Sequence, residues 1–254
     1  MCSTTFDVSG TVNFRDAVPR HSDASALRPG VLFRSASVHA VSGTGIEHLH
    51  RLGVRTVIDL RSPAETSAFP SVFPAGDIGL VHVPLELMSN NESARTDLTL
   101  ETLYKRMLVE RATGLADAVQ AIARAPAGGV VVHCTAGKDR TGLSVALALS
   151  AVGVPIEQIL IDYALTEHHL RGAWTHTMVE QLTAAGVEVD ARLLRILAAS
   201  PSETLAEAMR EQVFERWGNA SSYLLAHGLT SHDLSALRDR LISSSPIESR
   251  VLSR

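Results

Sequence analysis

A nucleophilic residue type and an oxyanion-gripping one stand close together in His133-Cys134-Thr135-Ala136-Gly137-Lys138-Asp139-Arg140-Thr141-Gly142, where five residues separate Cys134 from Arg140. A thiolate attacks electrophiles, and a guanidinium is a planar fork that holds two oxygens of a phosphoryl group. The spacing alone is a weak signal; its setting makes it strong. The β-branched run Gly129-Val130-Val131-Val132-His133 precedes it, and a stretch rich in Leu, Ala and Val, from Thr141 to Val152, follows it. A buried strand, a short turn and a buried helix would aim backbone N–H groups of Thr135, Ala136, Gly137 and Lys138 at one point, together with the first N–H groups of the helix. Such a point suits a dianion. Cys134 would lie at its base, where the positive end of the helix and nearby basic groups favour the thiolate. Arg140 would return over the bound group and hold the charge that spreads there in a transition state. Thr141 can offer its hydroxyl to the sulfur when the thiolate leaves, and Gly137 permits the close turn.

The elements that must position this loop can be read on either side of it. Val31-Leu32-Phe33-Arg34 predicts a short strand. Arg55-Thr56-Val57-Ile58-Asp59-Leu60-Arg61 predicts a buried one, with Asp59 and Arg61 near the carboxyl end, where open α/β sheets bind ligands. Leu80-Val81-His82-Val83 is a further strand, ended by Pro84. A helix is expected over Gly45 to Leu52, stopped by Gly53 in the left-handed conformation. Leu100 to Ala125 has a helical period with a break near Gly114. Pro155 opens a helix as its first residue, and Ser200-Pro201-Ser202-Glu203 predicts a capping box, again with proline first. Arg20 to Pro29 and Met88 to Asp97 read as loops. Strands gather before the signature loop and helices after it. The expectation is an α/β fold with a central sheet flanked by helices and a helical C-terminal portion over about 155–245, in a single domain of residues 1–254.

With 254 residues, 45% of them hydrophobic, the chain can bury a sizeable core. A net charge of -4 argues against chain-wide attraction to nucleic acid or anionic membrane. The two cysteines, Cys2 and Cys134, make no disulfide framework and fit a reducing compartment. Met1 to Val12 lacks the pattern of a signal peptide, and Leu143 to Val154 is too short to span a bilayer. A cytoplasmic protein without an integral membrane segment is expected, export without a signal peptide staying open; oligomeric state is not legible. Eleven histidines invite a metal. Yet His48 and His50 would not share a helix face, and His168, His169 and His176 lack a neighbouring ligand cluster, so neither metal nor other cofactor is expected. Trp174, Trp217 and Tyr223 read as packing residues.

His133 to Gly142 resembles the signature loop of the cysteine-based protein tyrosine phosphatase superfamily. Lys138-Asp139 before Arg140 is similar to a bacterial branch that includes secreted phosphatases acting on phosphotyrosine, phosphoserine/threonine and phosphoinositides. Asn13-Phe14-Arg15-Asp16, Leu27-Arg28-Pro29-Gly30, Leu32-Phe33-Arg34-Ser35-Ala36, Leu52-Gly53-Val54 through Asp59-Leu60-Arg61, Asp162-Tyr163 and Tyr223-Leu224 fit the same branch. The resemblance implies a protein-tyrosine-phosphatase-like sheet, a metal-free two-step reaction through a phosphocysteine at Cys134, and a phosphorylated protein or phosphoinositide as substrate. No Trp-Pro-Asp segment is present, and the branch implies Asp139 as the proton donor; the other reading of Asp139 is an orienting partner for Arg140 or Lys138. Asp59 is a second candidate acid, with a salt bridge to Arg140 or Arg61 as its plainer role. Lys138 either meets a second phosphate or acidic neighbour on the substrate, or tunes the loop's potential as an exposed lysine; Arg61 and Arg34 are weaker candidates of that kind. Some members carry a long helical lid before the loop, and the compact stretch from Leu85 to Ala125 predicts none. Two other functions compete: a rhodanese-like sulfurtransferase, which Arg140-Thr141-Gly142 argues against, and a silent phospho-ligand binding module. Retention of Cys134, Asp139, Arg140 and Thr141 argues against the second.

Overall fold

In the computed structural model, which describes residues 5–18, 27–74, 76, 78–86 and 99–243, the valine run becomes the middle strand of a five-stranded sheet. The strands are β1 (Arg15–Asp16), β2 (Leu32–Ser35), β3 (Val54–Asp59), β4 (Gly79–His82) and β5 (Gly129–His133), in the order β1-β2-β5-β3-β4. All neighbours are parallel except β1, which runs antiparallel to β2. The continuous apolar run of β5 follows from its place: it is buried at every position, so neither face needs polar residues. Successive side chains feed opposite cores. Ile58, Val130 and Val132 pack on one side of the sheet, and Val57 and Val131 join Phe14, Phe33 and Leu49 on the other.

The helices are α1 (Gly43–Arg51), α2 (Pro63–Ala68), α3 (Leu100–Glu110), α4 (Ala112–Arg124), α5 (Asp139–Ala151) and α6 (Ile156–Leu170). Then follow α7 (Ala173–Ala184), α8 (Ala191–Ala198), α9 (Ser202–Met209), a π-helical turn Arg210–Phe214, α10 (Glu215–Trp217), α11 (Ala220–Ala226) and α12 (Ser231–Leu241). The apolar helix after the signature loop is α5, buried along nearly its whole length between sheet and outer helices. Helices α7 and α8 are the contrast, with no fully buried residue in either. None of the described helices is long and apolar enough to cross a membrane.

The structure corrects three local expectations. The helix over 100–125 breaks at Arg111 (φ -117, ψ 20), and Gly114 lies inside α4. A Cβ on Gly114 would stand 2.6 Å from Leu85 Cδ2, so this glycine serves close packing and does not end a helix. Pro155 and Pro201 each sit one residue ahead of their helix, and α9 has no side-chain cap. Ser200 docks instead on α6, where its Oγ accepts from Glu167 N at 2.9 Å. Gly53 ends its helix region at φ +74, as read. Cys2, residues 20–26 of the first expected loop and the loop Met88 to Asp97 lie outside the described residues.

Candidate active site

The loop between β5 and α5 is held from behind by its carbonyl groups. Asn13 Nδ2 donates to Ala136 O at 3.0 Å and Gly137 O at 3.3 Å, and Arg34 Nη2 donates to Gly137 O at 2.8 Å. In a trans peptide the N–H points away from the C=O, so the N–H groups of Gly137 and Lys138 are turned to the opposite side. Gly137 has φ +65, and a Cβ there would lie 2.1 Å from Ser35 O; only glycine fits. Asp162 of α6 anchors this grip by pairing Arg34 Nη1 and Arg15 Nε at 2.7 Å each, and Arg15 Nη2 reaches Thr166 Oγ1 at 2.9 Å. Burial and the charge of Arg34 lower Arg15 to about 10, against the pull of Asp162, so it stays charged at neutral pH. The structure therefore places Arg34 beneath the loop.

Cys134 is buried at the start of the loop, and Arg140 in the first turn of α5 is buried beside it. Arg140 is gripped by a residue that the sequence reading missed. Its Nη1 and Nη2 donate to the two carboxylate oxygens of Glu65 at 2.6 and 2.8 Å, and Thr135 Oγ1 also donates to Glu65. Burial pushes the Glu65 carboxyl up, but the hydrogen bonds and charge of Arg140 outweigh it and hold it down at about 2. Glu65 is the third residue of α2, closing a capping box with Ser62 under Pro63. The signal Ser62-Pro63-Ala64-Glu65 stands in the sequence, though it does not say which guanidinium the carboxylate meets. Arg140 Nε and Thr141 Oγ1 are buried polar atoms with no hydrogen-bond partner among the described residues.

Asp139 accepts a hydrogen bond on Oδ1 from Tyr104 at 2.6 Å and has Lys138 Nζ at 3.6 Å. Expectation and structure part at Lys138: it is fully buried, not exposed. Its ammonium donates to the carbonyls of Ile196, Leu197 and Ala199, capping the C-terminal end of α8, where carbonyls lack helical partners. Asp59 and Arg61 are committed to each other, with Arg61 Nη2 at 2.6 Å from Asp59 Oδ2. Arg61 also donates to Phe69 O at 2.7 Å and Ser71 Oγ at 2.9 Å. Burial raises Asp59, but the hydrogen bonds from Arg61 outweigh it and leave the carboxyl below its ordinary value. Asp59 thus pairs with Arg61 and not with Arg140.

A sequence model of the proteins described as "Tyrosine phosphatase family" matches residues 6–243. The chain belongs to the tyrosine phosphatase family. It is 30% identical to the protein named triple specificity protein phosphatase PtpB of Mycobacterium tuberculosis, over 93% of this chain and 98% of that one. It is 28% identical to a tyrosine-protein phosphatase of Nostoc commune, over 86% and 76%. Among solved structures, P. aeruginosa TpbA aligns over 77% of this chain and 96% of its own, with 19% identity and a TM-score of 0.39.

Beside the loop of this family member runs a cleft of about 520 Å3. Thr135 and Glu65 line its loop end; Ala36, Phe69, Trp174 and Met178 supply apolar wall. Trp174 of α7 therefore faces the site, where the sequence reading gave it only a packing role. Trp217 is exposed at 38% and meets Tyr223 edge-on. Tyr223 is a core residue whose hydroxyl donates to Leu108 O at 2.8 Å.

His133, just before the nucleophile, is buried, and burial lowers it to about 4 against the pull of Asp59. Unfolded, it binds a proton near 6.5, so the unfolded state takes up more protons between these values. Stability is then expected to fall as pH falls from 6.5 to about 4, by up to ~1.4 kcal/mol per pH unit from this residue. His169, half-buried and also lowered to about 4 by burial, acts in the same direction but more weakly. Denaturant unfolding across pH 4 to 7 checks this: His133→Asn flattens the slope, and an unchanged slope contradicts it.

Proposed function

We propose that the chain hydrolyses phosphomonoesters through a phosphocysteine at Cys134, with phosphotyrosine as its preferred substrate. The observation that carries this reading is a pair of buried donors without a partner among the described residues, Arg140 Nε and Thr141 Oγ1, in the first turn of the helix that follows Cys134. With Glu65 occupying both terminal nitrogens of Arg140, Nε is left for a phosphoryl oxygen, and the bidentate pair holds the plane of the guanidinium.

In the first step Cys134 Sγ attacks phosphorus, the bond to the ester oxygen breaks, and Asp139 gives that oxygen its proton. In the second, water attacks phosphorus and gives a proton to Asp139. The S–P bond breaks, and the Thr141 hydroxyl donates to the departing thiolate.

The cleft favours an aryl ester. Its walls are mostly apolar, and the one lysine or arginine among its described residues, Arg61, is paired with Asp59. His39, also in the wall, is held below its ordinary value by burial and by Arg61, which disfavours a charge there. Lys138 is spent on α8. A second phosphate on the substrate would therefore find little compensation there. The triple specificity named for the mycobacterial relative favours a broader reading, in which phosphoserine/threonine and phosphoinositides are turned over too.

Assays without added metal, on matched phosphotyrosine and phosphoserine peptides and soluble phosphoinositides, test both readings. Phosphotyrosine is expected to rank first by kcat/KM, and Trp174→Ala to raise its KM about tenfold. A phosphoinositide ranking first would sink the aryl preference. A folded, reduced protein inactive on all of them, yet binding vanadate, would be a binding module, and persulfide formation from thiosulfate would mark a sulfurtransferase.

A further inference from the structure

Beneath Asp139 lies a pair of tyrosines that the two-step reaction does not use. Tyr104 of α3 and Tyr163 of α6 are both buried, with their hydroxyls in hydrogen-bond contact. Tyr104 OH donates to Asp139 Oδ1 at 2.6 Å. A phenol has one proton to give, and Tyr104 gives it to the carboxylate, so Tyr163 must be the donor in the contact between the two. The chain has a direction: Tyr163 O–H to Tyr104 O–H to Asp139 Oδ1. Burial, with Asp139 nearby, raises both phenols above their ordinary value, so neither loses its proton in the neutral range. Linked donors of this kind polarise one another in a dry interior.

Local sequence explains how the pair is seated. Tyr163 follows Asp162, the residue that anchors Arg15 and Arg34 under the loop. Its ring packs on Gly142, where a Cβ would stand 3.0 Å from Tyr163 Cε2. The glycine that closes the signature loop thus makes room for the tyrosine that backs Tyr104.

Resting on Asp139 as the proton donor, we infer that Tyr104, backed by Tyr163, is a positioning residue that selects which carboxylate oxygen carries the proton. Oδ1 faces two donors, the Tyr104 hydroxyl and, at 3.6 Å, Lys138 Nζ. A proton on Oδ1 would point into them. Oδ2 has no hydrogen bond among the described residues and is the oxygen that holds the transferable proton. As the ester P–O bond breaks, that proton passes from Oδ2 to the leaving oxygen, and the Tyr104 bond steadies the carboxylate left behind.

The test compares two aryl phosphates whose leaving groups differ in their need for a proton: a phosphotyrosine peptide and 2,4-dinitrophenyl phosphate. Asp139→Asn is expected to lower kcat on the peptide about a hundredfold more than on the dinitrophenyl ester. Tyr104→Phe, which keeps the ring's packing, shows the same selectivity at about tenfold, with KM little changed. Tyr163→Phe leaves the Tyr104–Asp139 bond in place and shows it to a smaller degree. Combining Tyr104→Phe with Asp139→Asn adds no further selectivity, because both act through one proton transfer. Equal losses on both esters in the two tyrosine variants would reduce the pair to packing and overturn the inference. Lack of selectivity in Asp139→Asn would remove the acid itself, and the inference with it. Persistent activity in Cys134→Ser would be a failure of a different kind, that of the phosphocysteine reading.

Discussion

Cys134→Ser is expected to lower turnover by about 10^4-fold or more while leaving affinity for vanadate within a few-fold of wild type. The two halves of this prediction have separate physical origins. A serine hydroxyl is almost wholly protonated near neutral pH and is a far weaker nucleophile than a thiolate. The oxyanion cradle proposed above, by contrast, consists of backbone N–H groups and Arg140. Its shape is fixed by Asn13, Arg34 and Gly137, none of which touches the sulfur through a hydrogen bond. Loss of both turnover and binding would mean that Cys134 supports the loop as well as attacking phosphorus.

Arg140→Lys is the second large effect, with kcat expected to fall about 10^3-fold and KM to change much less. Lysine keeps the charge but loses the fork. Arg140 in this structure turns both terminal nitrogens to Glu65 and leaves Nε without a partner among the described residues, and a single ammonium cannot repeat that arrangement. The variant should also alter stability at low pH. Glu65 is depressed from 4.5 to about 2, so its contribution is present above 4.5 and is lost as pH falls towards 2. With the bidentate partner removed, that acid limb flattens. A lysine variant with near-normal kcat and an unaltered acid limb would show that the Glu65–Arg140 pair has no bearing on turnover.

What could be read from the sequence was what local pattern controls. The valine run, the small-and-leucine helix and the glycine between them specify β5, the loop and α5, because each carries its own periodicity and burial. Glu65 and Tyr104 were not legible, for a common reason. They meet Arg140 and Asp139 across 75 and 35 residues of chain, and no local pattern reports such a pairing. The fate of Lys138 likewise depends on where α8 presents its last carbonyls, a property of tertiary packing. Gly114 misled because a glycine in a helical stretch reads as a break, whereas here it makes room for Leu85. The stretches Asn13 to Asp16 and Asp162-Tyr163 were matched to a family but given no role by the sequence. Their role is to hold the loop's carbonyls and seat Tyr104.

The central claim is that phosphate passes through the sulfur of Cys134. Mixing enzyme with a phosphotyrosine peptide, quenching in acid within the first turnover and mapping the phosphorylated peptide by mass tests it most directly. A phosphate on Cys134 is expected, absent in Cys134→Ser; with 2,4-dinitrophenyl phosphate, whose leaving group needs no proton, it accumulates further in Asp139→Asn, whose second step lacks its base. Rapid turnover with no phosphate on Cys134 in either protein, or with the phosphate on another residue, would contradict it.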